Sequence, residues 1–93
     1  MNLFAVPNGG ARGAVTARIL KAEGVVAGVS DLILMIPNKQ HPALCIEMKY
    51  GDNRQTKTQK MFEKSVTRYG YKYIVCKTLD QFIQEVNSYL KEK

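Results

Sequence analysis

Residues 31 to 49 read DLILMIPNKQHPALCIEMK, two apolar runs joined by a polar segment with a proline at each end. Each run has the length of a strand, which predicts strands over residues 29–36 and 43–50. Because the PNKQHP connection is short, the two strands should form an antiparallel hairpin.

Three charged residues, Asp31, Glu47 and Lys49, interrupt these apolar strands. Side chains alternate across a strand, so Glu47 and Lys49 share one face. If the turn is centred on Lys39, Asp31 lies opposite Glu47 with Cβ atoms about 4.5–5.5 Å apart, whereas a one-residue slip would separate them. Two facing carboxylates repel each other, but they suit a hard cation such as Mg²⁺ or Mn²⁺. The alternative is that Glu47 and Lys49 lie on the solvated face of a half-exposed hairpin.

The other elements follow from apolar periodicity and from glycine and proline breaks. The predicted order is a strand at 3–6, a helix at 11–23, the hairpin, a helix at 55–69, a strand at 71–76 and a C-terminal helix. Thr78 should cap this last helix, with Gln81 as its capping-box partner. The order predicts a single α/β domain over residues 1–93, with a mixed sheet flanked by helices.

One polar residue of the helix at 55–69 falls on its apolar side. Gln59 shares that side with Phe62 and Val66, which should face the sheet. A glutamine in that place needs a polar partner, and the helix follows directly on the strand that carries Glu47. The alternative is a first-turn glutamine that water still reaches. Tyr73, on the next strand, is interpreted as a packing residue.

The amino-acid composition limits the classes of protein to which this chain can belong. The chain has 93 residues, 45% of them apolar, and a net charge of +6. It should therefore fold, and the charge favours a polyanionic partner such as nucleic acid. No apolar run approaches the roughly 20 residues of a membrane span, and no signal peptide is expected at the N-terminus. Cys45 and Cys76 are expected to be buried, reduced thiols of a cytoplasmic protein.

The arrangement of Asp, ExK and a following helix resembles the PD-(D/E)xK nuclease superfamily. The segments VPNGG (6–10), LKAEGV (20–25), AGVSDL (27–32) and IEMK (46–49), with Gln59, resemble the VRR-NUC family of virus-type replication-repair nucleases. The resemblance runs from Phe4 to about Leu90.

The resemblance implies a restriction-endonuclease-like fold and a metal-dependent DNA endonuclease. Asp31, Glu47 and the carbonyl of Met48 would bind Mg²⁺ or Mn²⁺, and Lys49 and Gln59 would complete the catalytic set. The implied protein is a homodimer that cuts four-way junctions or other branched DNA in a bacterial cell, and family members that consist of this domain alone are typically encoded by a phage or prophage. Phosphate contacts are expected from Asn8, Gly9, Gly10, Arg12, Arg18, Lys21, Arg54, Lys57 and Lys60. Taken singly, each of the charged ones is better explained as a solvated surface residue, whereas the glycines fit turn residues and DNA contacts equally well.

Two departures from the family pattern accompany the resemblance. Ser30 stands where a proline usually precedes the metal-binding Asp. The helix with a glutamate that usually precedes the VPNGG strand is expected to be missing, through truncation, supply by a partner chain, or adaptation to the remaining ligands. The alternative function is therefore a weakly active or inactive, structure-specific DNA-binding module with a nuclease fold. A basic interaction protein that needs a partner chain is a third possibility.

Overall fold

The computed structural model describes residues 2–6 and 30–92. This part contains strands and helices in the following order: β1 (Leu3–Ala5), β2 (Leu32–Leu34), β3 (Leu44–Met48), α1 (Lys57–Arg68), β4 (Lys72–Cys76) and α2 (Leu79–Lys91). The predicted order of these elements is confirmed, although β2 is shorter than the predicted strand over 29–36. The helix predicted at 11–23 lies outside the described residues.

The strands form one mixed sheet in the order β1-β2-β3-β4. The first two pairings are antiparallel, and β3 pairs with β4 in parallel. Leu32 lies opposite Ile46, and Leu34 lies opposite Leu44. The hairpin register is therefore centred on Lys39 as predicted, and it brings Asp31 opposite Glu47 one position beyond the last pair.

The two faces of the sheet have different chemistry. One face carries the main apolar cluster, in which Leu34, Leu44, Ile46, Cys76 and Tyr89 are buried. Helix α2 covers this cluster with an apolar stripe, as its 3.6-residue periodicity predicts.

The opposite face carries Cys45, Glu47 and Tyr73, because side chains alternate along β3 and β4. Helix α1 packs on this face, where the rings of Phe62 and Tyr73 lie with centroids 6.3 Å apart. Cys45 is buried and reduced here, and Cys76 is buried and reduced on the other face, as predicted. Glu47 thus lies on an inner face of the domain, beneath a helix.

Both helices begin at threonine caps. At α1, Thr56 and Gln59 form a complete capping box, which the sequence analysis did not predict. At α2, the Thr78 hydroxyl accepts from the Gln81 amide at 3.0 Å, as predicted. However, the Gln81 side-chain oxygen accepts from the amide of Lys77 at 2.7 Å. The predicted capping box at Thr78 is therefore wrong, because the long Gln81 side chain reaches the amide one residue before the cap.

The β2–β3 turn is fastened to the end of α2. The Tyr89 hydroxyl donates to the carbonyl of Ile36 at 2.6 Å, and the Asn38 side-chain amide donates to the carbonyl of Tyr89 at 3.2 Å. The backbone amide of Lys39 donates to the carbonyl of Glu92 at 2.6 Å. These bonds hold the hairpin at the end opposite Asp31 and Glu47. In the part of the chain that the structure describes, neither helix is long and apolar enough to cross a membrane.

Candidate metal centre

Two carboxylates meet at the open end of the β2–β3 hairpin. The Asp31 Oδ2 atom accepts a hydrogen bond from the backbone amide of Met48 at 2.8 Å, which holds Asp31 against the end of β3. The side chain of Glu47, the preceding residue, hydrogen-bonds to the Asp31 carboxyl group. The two carboxyl groups therefore lie together, as the register predicts.

Glu47 is one of the most deeply buried residues of the described chain, with 1% of its surface exposed. Burial, followed by the hydrogen bond and the charge of Asp31, raises the pKa of Glu47 from 4.5 to about 7. The charge of Lys49 and the hydrogen bond from Tyr73 act in the opposite direction. Burial excludes the alternative in which Glu47 is part of a solvated face. A cation between the carboxylates would favour their charged forms, which burial and mutual repulsion disfavour.

Lys49 brings a positive charge to the edge of this site. Its backbone amide donates to the carbonyl of Cys76 at 2.8 Å and so continues the β3–β4 pairing past Met48. Its Nζ atom lies 4.0 Å from Oε2 of Glu47, and 14% of its side chain is exposed. The ammonium group therefore lies beside the carboxylates and remains accessible from solvent.

The donor set fits a hard divalent cation. Within residues 2–6 and 30–92, no group of three or more His, Cys, Asp or Glu side chains is placed to hold a metal ion. The described protein ligands would then be Asp31, Glu47 and a backbone carbonyl, for which Met48 is the predicted donor. Mg²⁺ is commonly bound through one or two carboxylates while it keeps several waters, so the buried Glu47 and the half-buried Asp31 at an open edge are suitable ligands.

Comparison with known proteins assigns the fold to a family. The family model of the VRR-NUC domain matches residues 5–79. The chain belongs to the VRR-NUC family. The solved structure of a VRR_NUC domain protein superposes on it with a TM-score of 0.84 at 29% sequence identity, covering 99% of this chain and 69% of that chain. No curated protein matches the sequence. The resemblance seen in the motifs is thus confirmed, and the chain is a nuclease-fold domain of a DNA-processing family.

The VRR-NUC fold brings four of the predicted site residues together. Asp31, Glu47, Met48 and Lys49 lie at one end of the hairpin, within one connected set of contacts. Gln59 is half-buried in the first turn of α1, and its side-chain oxygen accepts from the Thr56 amide at 2.8 Å. That oxygen thus serves the helix cap, and a catalytic role for Gln59 stays a prediction.

Two residues next to Glu47 were not predicted to belong to the site. Tyr73 packs against Phe62, as the packing interpretation requires, but its hydroxyl also donates to Oε1 of Glu47 at 3.4 Å. The side-chain amide of Gln55 donates to the Tyr73 hydroxyl at 3.2 Å. The available signal was the alternation within YKYIVC, which places Tyr73 and Glu47 on one face once β4 is paired in parallel with β3.

The predicted DNA contacts divide into two groups. Six of the predicted residues lie outside the described part of the chain: Asn8, Gly9, Gly10, Arg12, Arg18 and Lys21. Arg54, Lys57 and Lys60 are exposed at and before the start of α1. Two exposed cations that were not predicted, Lys64 and Arg68, continue the row at helical spacing. They line a shallow groove of about 580 Å³, together with Met61, Ser65 and Tyr69. The outward face of α1 thus carries a row of exposed cations beside the exposed Met61 and Tyr69.

Proposed function

We propose that this VRR-NUC chain is a DNA endonuclease that depends on Mg²⁺ or Mn²⁺ and hydrolyses phosphodiester bonds. The observation that carries the proposal is the contact between the buried Glu47 and Asp31, with the Lys49 ammonium 4.0 Å from Glu47. An amine beside two adjacent carboxylates, one of them buried, is the charge arrangement that metal-assisted attack on a phosphodiester needs.

The chain's own residues would act as follows. Asp31, Glu47 and the Met48 carbonyl would hold the metal, which when bound supplies a Lewis acid and a water of lowered pKa. The Met48 amide keeps the Asp31 carboxylate oriented through its 2.8 Å hydrogen bond. Lys49 would donate a hydrogen bond to the attacking water or to a phosphate oxygen as negative charge develops there.

The proposed substrate is inferred from the charge of the protein and from the symmetry of a dimer. The net charge of +6 and the cations of α1 favour contacts with DNA phosphates. A symmetric dimer of a small nuclease would present two such sites to a four-way branch of matching symmetry. We therefore infer a homodimer that acts on branched DNA, with junctions favoured over plain duplex, in the cytoplasm of a bacterial cell.

The test is cleavage of an end-labelled four-way junction, a flap and a plain duplex, each in Mg²⁺, Mn²⁺ or EDTA. Glu47→Gln and Lys49→Ala should abolish cutting while the far-UV circular dichroism spectrum and DNA binding remain. Lys77→Ala is the matched control for Lys49, since this exposed lysine directly follows β4, and it should cut like the natural protein.

Three outcomes decide between the functions. Metal-dependent cutting that is lost in Glu47→Gln supports the nuclease and ranks its substrates. A fully active Lys49→Ala protein would contradict the proposed mechanism. Branched-DNA binding that needs no metal, without products in either metal, would instead identify a DNA-binding module. Light scattering during gel filtration tests the dimer, and a monomer mass would contradict the paired-site argument.

A further inference from the structure

The hydroxyl of Tyr73 is not required for the packing of its ring. Tyr73 is 9% exposed, and its ring lies against Phe62 beneath α1. Phenylalanine would fill the same space, whereas a buried hydroxyl requires a hydrogen-bond partner. That partner is Oε1 of Glu47, at 3.4 Å.

The direction of this hydrogen bond is fixed by a second one. Gln55 donates from its side-chain nitrogen to the Tyr73 hydroxyl at 3.2 Å and to Oε1 of Glu63 at 3.0 Å. Since the hydroxyl accepts from Gln55 and has a single proton, that proton is free to point at Glu47. Burial raises the pKa of Tyr73 to about 12, so the hydroxyl keeps its proton at neutral pH. Gln55 and Tyr73 thus form a relay of two hydrogen bonds: Gln55 donates to the Tyr73 hydroxyl, and this hydroxyl donates to the Glu47 carboxylate.

The two oxygens of Glu47 consequently have different surroundings. Oε1 accepts from Tyr73, and Oε2 is the oxygen that lies 4.0 Å from the Lys49 ammonium. We propose that Tyr73, oriented by Gln55, is a positioning residue that holds Oε1 of Glu47 so that the carboxylate keeps the orientation required to bind the metal. The inference rests on the proposed function, because it assigns a role toward the same metal centre. Hydrogen bonds to metal-binding side chains commonly change metal affinity or activity by about 10–100-fold.

Tyr73→Phe removes the hydroxyl and leaves the ring in contact with Phe62. Titration calorimetry of the full chain with MnCl₂ should show binding about tenfold weaker for this variant. Saturating Mn²⁺ should restore most of kcat, and KM for DNA should not change, because the lost group acts on the metal site. Tyr71→Phe is the matched control, since this tyrosine lies two residues earlier and is 38% exposed. Equal Mn²⁺ affinity in Tyr73→Phe and the natural protein would overturn the inference.

A second variant tests the relay. Gln55→Met keeps the length of the side chain but removes the donor, so it should weaken Mn²⁺ binding by less than Tyr73→Phe does. Because Gln55 acts through Tyr73, the double variant should bind like Tyr73→Phe alone. If the fold-losses of Mn²⁺ affinity of the two single variants multiply in the double variant, Gln55 does not act through Tyr73.

A third measurement does not depend on nuclease activity or on metal. In metal-free crystals, the Glu47 carboxylate should occupy one position in the natural protein and several in Tyr73→Phe. An unchanged, single position in Tyr73→Phe would overturn the inference even in a protein that binds DNA without cutting it. A protein that binds no Mn²⁺ but loses the fixed Glu47 position in Tyr73→Phe would instead contradict the proposed function and leave the positioning role standing.

Discussion

Replacing Glu47 by glutamine should make the metal-free protein more stable at pH 8. Glutamine has nearly the same shape, and its side-chain oxygen can still accept from Tyr73, whose hydroxyl lies 3.4 Å from Oε1 of Glu47. The substitution removes a charge that is 1% exposed and lies against Asp31. The folded protein is thereby relieved of an unfavourable buried charge.

The size of the effect follows from the pKa of Glu47, which is about 7 in the folded protein against 4.5 for an ordinary glutamate. Between these values the folded chain holds a proton that the unfolded chain has released, so the free energy of unfolding falls as pH rises. At about 1.4 kcal/mol per pH unit, the loss amounts to about 3 kcal/mol by pH 7. Above pH 7 both states are ionised, and the loss stays constant. Since small domains are stable by about 5–15 kcal/mol, this is a large fraction of the total.

The assay is equilibrium unfolding in urea between pH 4.5 and 8.5 in EDTA, followed by far-UV circular dichroism. The free energies of unfolding of Glu47→Gln and the natural protein should be nearly equal at pH 4.5 and differ by about 3 kcal/mol at pH 8. Subtracting one curve from the other removes the contributions of the titrating groups that do not interact with Glu47. Glu92→Gln, an exposed position beyond α2, is the control and should show no such pH-dependent gain.

Two results would refute this reasoning. One is a difference between Glu47→Gln and the natural protein that does not change with pH, which would mean that Glu47 is solvated. The other is a destabilised Glu47→Gln protein at pH 8, which would mean that the charge of Glu47 is favourable without a metal.

Three further predictions concern other parts of the same structure. Asp31→Asn should move the pH at which stability is lost below 7, because both the charge and the hydrogen bond of Asp31 raise the pKa of Glu47; an unchanged midpoint in the urea series would contradict this. The double variant Lys57→Ala/Lys60→Ala should lower the slope of log affinity against log salt by about 2 for duplex DNA, whereas Lys91→Ala should not, as measured by fluorescence anisotropy. Tyr89→Phe should reduce the free energy of unfolding by about 1–2 kcal/mol without changing the cleavage rate, because it removes a 2.6 Å hydrogen bond to the β2–β3 turn.

The hairpin was predictable because its determinants are local. Two apolar runs of similar length flank PNKQHP and predict a hairpin, and the register centred on Lys39, which was assumed from the sequence, is the one observed. A one-residue slip would have moved every side chain of β2 to the other face, but Leu32, Ile33 and Leu34 are all apolar, so alternation within β2 does not select the register. The meeting of Asp31 and Glu47 could therefore be predicted from the sequence only for this register, which the observed strand pairs supply.

The surroundings of Glu47 were not predictable in the same way. Tyr73 lies 26 positions after Glu47, and its role depends on the parallel pairing of β4 with β3, which alternation alone does not specify. The helix caps show a similar limit, since Gln59 and Gln81 both follow a threonine by three residues but accept from amides in different places. A side chain as long as glutamine can reach several amides, and the path of the backbone selects among them.

Residues that stabilise the fold lie at the turn end of the hairpin, and residues whose charges destabilise it lie at the open end. Its turn end is held by Tyr89, Asn38 and the amide of Lys39. Its open end carries Glu47, whose charge costs about 3 kcal/mol above pH 7, first through burial and then through Asp31. A cation at 100 times its Kd would stabilise the folded chain by about 2.7 kcal/mol, which is nearly the same amount. At that concentration the cation should offset the cost of the charged Glu47 at pH 8. Because the turn fixes the register at the other end, the carboxylates are kept together without a metal. A bound cation would then offset the cost of the Glu47 charge, which comes from burial first and from Asp31 second.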